Sequence, residues 1–110
     1  MSKFILASQF DTEATEGTVV IKFEIDNCPP CQAYDNWIKD LEREFRHVLF
    51  LKLNLTDPEN VGPSSQALKS RFRFKSVPYV IVLQDNKVIL ERLCPDQKEI
   101  HEALEKALTS

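Results

Sequence analysis

The chain has 110 residues, 43% of them apolar and 28% charged, which fits one globular domain and excludes both a disordered tail and two independent cores. The formal net charge is −3 and only two glycines occur, so neither a phosphate-attracting surface nor the glycine-rich turn of a nucleotide-binding loop is expected. No apolar run nears the roughly 20 residues that cross a bilayer, and Phe4-Ile5-Leu6-Ala7 falls short of the roughly 7–15 residues of a signal-peptide core.

Along the chain, residues 3–7 form a short apolar run that reads as an edge strand. Residues 8–15 are polar, with Phe10 and Ala14 four apart, and read as a short helix; Gly17 then resets the chain. Residues 18–25 (T-V-V-I-K-F-E-I) are rich in β-branched side chains and predict a strand. Val19, Ile21, Phe23 and Ile25 share one face, and Val20, Lys22 and Glu24 share the other. From Pro29 the period changes. Tyr34, Trp37, Ile38, Leu41, Phe45 and Val48 recur at three- and four-residue steps, the mark of an amphipathic helix. On its polar side Asp35–Lys39 and Glu42–Arg46 are four apart and form expected surface pairs.

Residues 48–55 (V-L-F-L-K-L-N-L) predict a second buried strand, and residues 56–65 a loop. Ser64 or Ser65 is the expected cap of a short helix that runs to Phe72. Residues 79–83 and 87–93 predict two strands joined at Asp85-Asn86 as a hairpin. Asp96 with Glu99 has the spacing of a capping box, and Ile100, Ala103, Leu104, Ala107 and Leu108 give the last helix its apolar stripe. The order β-α-β-α-β-α-β-β-α predicts an α/β domain with a mixed sheet, its site at the C-terminal end of the 18–25 strand.

The chemistry is concentrated in Cys28-Pro29-Pro30-Cys31. Two cysteines three apart at a helix start can bring their sulfurs within bonding distance. The helix dipole and free amides favour a thiolate at Cys28, while Cys31, one turn inside, should be more buried and stay protonated. That asymmetry suits thiol–disulfide exchange: Cys28 attacks a substrate disulfide and Cys31 resolves the mixed disulfide. Neither Pro29 nor Pro30 has an amide proton, so the nearest donors to the Cys28 sulfur are the amides of Cys31 and Gln32. The same spacing is half of many zinc sites, but only Cys94, His47 and His101 remain as further ligands, without a second paired motif. No metal is expected.

On these residues the chain resembles the thioredoxin family over residues 3–108. The strand V-V-I-K-F-E-I runs into Cys28-Pro29-Pro30-Cys31, and L-K-L-N-L follows at 51–55. Then come Ser76-Val77-Pro78-Tyr79, V-I-V-L, the hairpin Q-D-N-K-V and the C-terminal amphipathic helix. The resemblance implies a thioredoxin-like fold, a central mixed sheet flanked by helices. It implies a cis bond before Pro78, facing the redox pair, and a substrate strand docking on the backbone of Val77, with Pro29 and Pro30 in the same substrate-facing surface. It implies a protein disulfide oxidoreductase with no bound cofactor beyond the Cys28–Cys31 disulfide. Its partners would be protein disulfides and a thioredoxin reductase or other thiol donor fed by NADPH. Glutaredoxins share Cys-Pro-x-Cys, but their Gly-Gly turn is missing here.

Several positions depart from the family. Asn27 stands for a tryptophan, Pro29 for a glycine, Asn36 for a helix proline, and Cys94 for a loop glycine; residues 57–63 look inserted. Lys22 stands where the family buries an aspartate that helps deprotonate the second cysteine. Its ammonium can stabilise a thiolate or snorkel out to water. Glu24, replacing a strand tryptophan, can pair with Lys22 or Lys52 or act as a substitute base. Lys22, Glu24, Lys52 and Cys94 are therefore candidate modulators of the pair.

Cys94 precedes Pro95 at the start of the last helix and reads either as a third redox thiol or as an ordinary free cysteine. Arg71-Phe72-Arg73-Phe74-Lys75 alternates cations and aromatics, but in an acidic chain it reads as core phenylalanines with cations rimming the site, not as a nucleic-acid strand. Trp37 reads as packing, and neither histidine has a catalytic partner. A single soluble, monomeric, cytoplasmic domain over residues 1–110 is expected, with no nucleic-acid or membrane partner. The rival reading is a thioredoxin-like scaffold or binding module with weak or no turnover.

Overall fold

Alternation of β-branched runs with helical periods produces the predicted order of elements in a computed structural model that describes residues 2–60 and 62–109. They are β1 (Lys3–Phe4), α1 (Phe10–Glu13), β2 (Thr18–Glu24), α2 (Pro29–Glu44) and β3 (Leu49–Asn54), followed by α3 (Pro63–Phe72), β4 (Tyr79–Gln84), β5 (Lys87–Leu93) and α4 (Gln97–Thr109). The sheet order is β1-β3-β2-β4-β5. β1 and β2 run parallel to β3, whereas β4 lies antiparallel to β2 and β5 antiparallel to β4, so the sheet is mixed as expected.

The two faces of β2 are those the alternation predicts. Val19, Ile21 and Phe23 join Phe10, Leu51, Leu53, Phe72 and Ile81 in one core, on the side of α1 and α3. Val20 joins Ile38, Leu41, Phe50, Val82, Ile100 and Leu104 in a second core beneath α2 and α4. The sheet is thus sandwiched between two helical layers, each burying an apolar stripe. At the hairpin, Asp85 and Asn86 both take positive φ, 48° and 70°, as a two-residue turn demands. Asp85 also exchanges hydrogen bonds with Gly17: its Oδ1 accepts from the Gly17 amide at 3.0 Å, and its own amide donates to Gly17 O at 2.9 Å. Gly17 sits at φ 71°, a conformation glycine adopts without a Cβ penalty.

Boundaries differ where local geometry overrides the pattern. β1 holds only Lys3 and Phe4, because the chain turns into a 3-10 segment at Ala7–Gln9. Buried Asn60 anchors that turn: its Oδ1 accepts from the Ala7 amide and its Nδ2 donates to Asn54 O, both at 2.7 Å. α2 stops at Glu44 with Phe45 as C-cap, so Val48 packs from the following turn and not from the helix. α3 starts one residue before the expected serine cap: Gly62 (φ 141°) precedes Pro63, whose missing N–H suits the first helical position. The Asp96–Glu99 box forms, with Asp96 Oδ1 accepting from the Glu99 amide at 2.8 Å.

One pH-dependent contact ties α4 to α2. His101 donates through Nε2 to Glu44 at 2.6 Å, and its Nδ1 lies 2.8 Å from Glu105. The hydrogen bond to Glu44 raises the imidazole above its usual value; slight burial works against it, and the charges of Glu44 and Glu105 add to it. A raised folded-state value means the contact stabilises fully below the unfolded value of about 6.5 and is lost as pH rises through the folded value. An NMR titration of His101 should therefore show a midpoint above that of a free imidazole, returning towards it in Glu44→Gln. A wild-type midpoint at or below the free value would contradict the pairing.

Candidate active site

Strand β2 delivers its end to a polar turn. Asn54 Nδ2 donates to Asp26 Oδ1 at 2.8 Å, and the Asp26 amide donates to Thr56 Oγ1 at 3.0 Å, which pins the turn to the end of β3. Asn27 takes φ 54° and reverses the chain into Cys28. Cys28 is the N-cap of α2: its sulfur accepts from the Cys31 amide at 3.2 Å. Of the two donors expected for that sulfur, the Gln32 amide is used elsewhere, bonding Cys28 O at 3.1 Å. Pro29 and Pro30 occupy the first two helical positions, exposed and without amide protons. One orphan amide therefore serves the sulfur, at the positive end of a 16-residue helix.

Cys28 and Cys31 are joined as a disulfide with Cα atoms 5.2 Å apart. Their exposures are 7% and 3%, so the expected order holds but the contrast is small in this oxidised form. Among the described residues, no three His, Cys, Asp or Glu side chains are grouped as a metal site requires.

The Val77–Pro78 bond is cis, as the resemblance implied. Tyr79, the next residue, pairs with Phe23 near the end of β2, so the Val77–Pro78 segment and the cysteine turn share one end of the sheet. Pro78 O accepts from the Cys94 amide at 2.8 Å, which sets the exposed free thiol of Cys94 (φ 48°) against the same segment. Beside Val77 lies a cleft of about 720 Å³ walled by Ile25, Leu55 and Phe74, with Lys69 and Lys75 among its lining residues. Ile25 was expected to continue β2; it has left the strand and helps line this cleft. Phe72 is core and Phe74 packs against it, as predicted. Arg71, however, does not rim the site: its guanidinium lies over the Phe10 and Phe72 rings and reaches Asn86 in the far hairpin. Trp37 packs edge-on to Tyr34, a structural role.

Behind the cysteines lies a charged cluster that the sequence only half revealed. Lys22 does not snorkel; it is fully buried. Its ammonium donates to Asp35 Oδ1 at 2.8 Å and to Cys31 O at 3.1 Å, and pairs with Glu24 Oε1 at 2.5 Å. That Glu24 oxygen is buried and has the ion pair without a well-aligned hydrogen bond. Lys52, the cross-strand neighbour of Lys22, pairs with Asp35 at 3.0 Å, so Lys22 is the partner of Glu24 and Asp35 bridges the two lysines. Asp35 was expected to form a surface pair with Lys39 and faces inward instead. The missed signal was its spacing: Asp35 is four residues after Cys31 and so lies on the same face of α2. Burial alone would raise its carboxyl, but the hydrogen bonds and charges of Lys22 and Lys52 outweigh that and hold it below the usual range. Burial, assisted by the nearby carboxylates, pushes the Tyr34 phenol far up, so it stays neutral.

The profile of the Thioredoxin family matches residues 2–108. The thioredoxin of Chlamydia caviae is 29% identical over 89 residues, which cover 81% of this chain and 80% of that protein. Thioredoxin H5 of Arabidopsis thaliana is 23% identical over 96 residues, 87% of this chain and 75% of the relative. Among solved structures, the short form of spinach chloroplast thioredoxin f superposes with a TM-score of 0.79 at 24% identity, over 96% of this chain and 92% of that one. A structure described as a complex of ferredoxin:thioredoxin reductase and thioredoxin f2 gives 0.76 at 23% identity, over 96% and 94%.

Proposed function

The chain belongs to the thioredoxin family and is a thiol–disulfide oxidoreductase, and from that premise we propose that it works as a reductase of protein disulfides, with Cys28 as nucleophile and Cys31 as resolver. The observation that carries this reading is the paired sulfurs at the start of α2, where the Cys28 sulfur accepts the Cys31 amide and lies at the positive end of the helix. The Cys28 thiolate attacks one sulfur of a substrate disulfide and expels the other as thiolate. Cys31 then attacks the Cys28 sulfur, closes the Cys28–Cys31 disulfide and releases the second substrate sulfur. Two electrons pass to the substrate, and its two thiolates take up protons.

Substrate docks along Val77 beside Pro78 and over Pro29 and Pro30. The apolar cleft next to Val77 supports this edge, with room for a substrate side chain. A dedicated reductase drawing on NADPH returns the pair to the dithiol. The solved neighbour described with ferredoxin:thioredoxin reductase supports a reductase partner for this chain. A reductase role suits a compartment whose glutathione keeps thiols reduced, so a cytoplasmic location belongs to the same reading.

Direction is tested by the equilibrium potential of the pair, measured against glutathione. A reductase should lie below about −200 mV, towards the roughly −270 mV of thioredoxins. A value near −120 mV, that of a dedicated oxidant, would reverse the assignment.

A further inference from the structure

Lys22 is the only charged side chain fully shut off from solvent among the described residues, and it touches the redox motif. A lysine is rarely buried without partners, because its charge loses hydration. Here its three N–H donors meet three acceptors: Asp35 Oδ1, Cys31 O and, as an ion pair, Glu24 Oε1. The Tyr34 ring lies 4.8 Å from the ammonium and adds a favourable face. Held by these contacts as an ammonium, Lys22 has no lone pair with which to accept a proton.

The groups around it come from three elements. β2 supplies Lys22 and Glu24, α2 supplies Tyr34 and Asp35, and β3 supplies Lys52; opposite Lys22 on β4 stands only the apolar Val80. Among these side chains Lys22 bonds directly to Cys31, through the carbonyl. The two carboxylates lie one bond further out, each held by a lysine.

We propose that Lys22 is a positioning residue that sets the acidity of Cys31: its fixed ammonium favours the Cys31 thiolate and so promotes the resolving step without taking the proton itself. In that step the Cys31 thiol gives up its proton, its sulfur attacks the Cys28 sulfur, and the bond from Cys28 to the substrate breaks. The departing substrate thiolate ends with a proton, so the step balances as one thiol exchanged for another. Asp35 acts in the opposite sense, as a negative charge that offsets part of the lysine's field.

This inference rests on Cys31 being the resolver, and one experiment separates the two ideas. In a Cys94→Ser background, which removes the exposed third thiol, a mixed disulfide between Cys28 and thionitrobenzoate is prepared in the reduced protein, and the release of thionitrobenzoate by Cys31 is followed against pH. If wild type releases nothing, the resolver role fails first and the present inference with it. If it releases, Lys22→Met should raise the pH midpoint by about one unit and slow release below the midpoint about threefold, the loss of thiolate being partly offset by its greater nucleophilicity. Measured above both midpoints, where reduced Cys31 is a thiolate, the equilibrium potential should fall by about 30 mV, the equivalent of tenfold for two electrons. Asp35→Asn, on the partly exposed face of α2, should lower the midpoint and raise the potential.

A purely structural role would lower the stability of both variants and leave midpoint and potential where they are. Variants that fail to move in opposite directions overturn the inference. If Lys22→Met does not fold, Asp35→Asn decides alone: a lower midpoint supports the proposal, and an unchanged or higher one ends it.

Discussion

Cys28→Ser brings disulfide reduction down to background. In an insulin-reduction assay driven by dithiothreitol, this variant should precipitate insulin no faster than dithiothreitol alone, while wild type is far faster. The reason is positional as well as chemical. Cys28 is the N-cap of α2, and its sulfur accepts from the Cys31 amide, the first that follows the two leading prolines. A serine hydroxyl there can accept the same hydrogen bond, so the helix start survives and the loss is one of nucleophile. Cys31→Ser should behave differently: it keeps the first attack and accumulates a covalent mixed disulfide that wild type resolves. Trapping therefore distinguishes the two cysteines, with stable adducts expected from Cys31→Ser and none from Cys28→Ser. Reduction by Cys28→Ser at the wild-type rate, or adducts formed through Cys31 alone, would exchange their roles. Wild-type reduction no faster than dithiothreitol would favour the scaffold reading over turnover.

What the sequence disclosed and what it hid follow from the range of the interactions. Alternation in T-V-V-I-K-F-E is a local signal, and it assigns the two faces of β2 correctly, including the face that carries Lys22. Cys-Pro-Pro-Cys after that strand is equally local, and it places a sulfur at a helix N-terminus. Of the partners of Lys22, Glu24 is two residues away and legible, whereas Asp35 is not local. The Lys22–Lys52 neighbourhood exists only once β2 and β3 pair in register, and two adjacent lysines then need an anion between them. Asp35 fills that need from α2, so an apparent surface pair with Lys39 gives way to a half-buried bridge between the two lysines. The end of α2 shows the same limit in reverse. Phe45 and Val48 fit the helical period, yet the chain has already turned, and both pack from outside the helix. Periodicity records which side chains are buried and not which backbone carries them.

Phe23→Ala should cost about 3–5 kcal/mol, the usual range for emptying a large aromatic site in a core. Phe23 lies near the end of β2 with no exposure, paired to Leu53 on one side and Tyr79 on the other. Its ring centroid lies 4.8 Å from that of Phe74 and 6.2 Å from that of Phe72, and Phe74 in turn stacks on Tyr79 at 4.9 Å. One ring thus supports both the α3 side of the core and the residues that flank Val77 and Pro78. A domain of this size holds about 5–15 kcal/mol in total, so the loss removes a large part of it and should lower Tm by roughly 10–20 °C. Phe4→Ala is the contrast. That ring is 58% exposed at the sheet edge, and its removal should change stability by less than about 0.5 kcal/mol. Phe23→Leu separates volume from aromatic contact: it keeps most of the buried area, so it should recover more than half of the alanine loss. The same gradation should appear at the site, because Phe74 and Tyr79 lean on this ring and bracket the Val77–Pro78 edge. At a temperature where Phe23→Ala is still folded, its affinity for a trapped substrate should fall while the potential of the Cys28–Cys31 pair stays at the wild-type value. A shift in potential instead would mean that packing on the α3 side reaches the sulfurs, contrary to the division of the sheet into two cores.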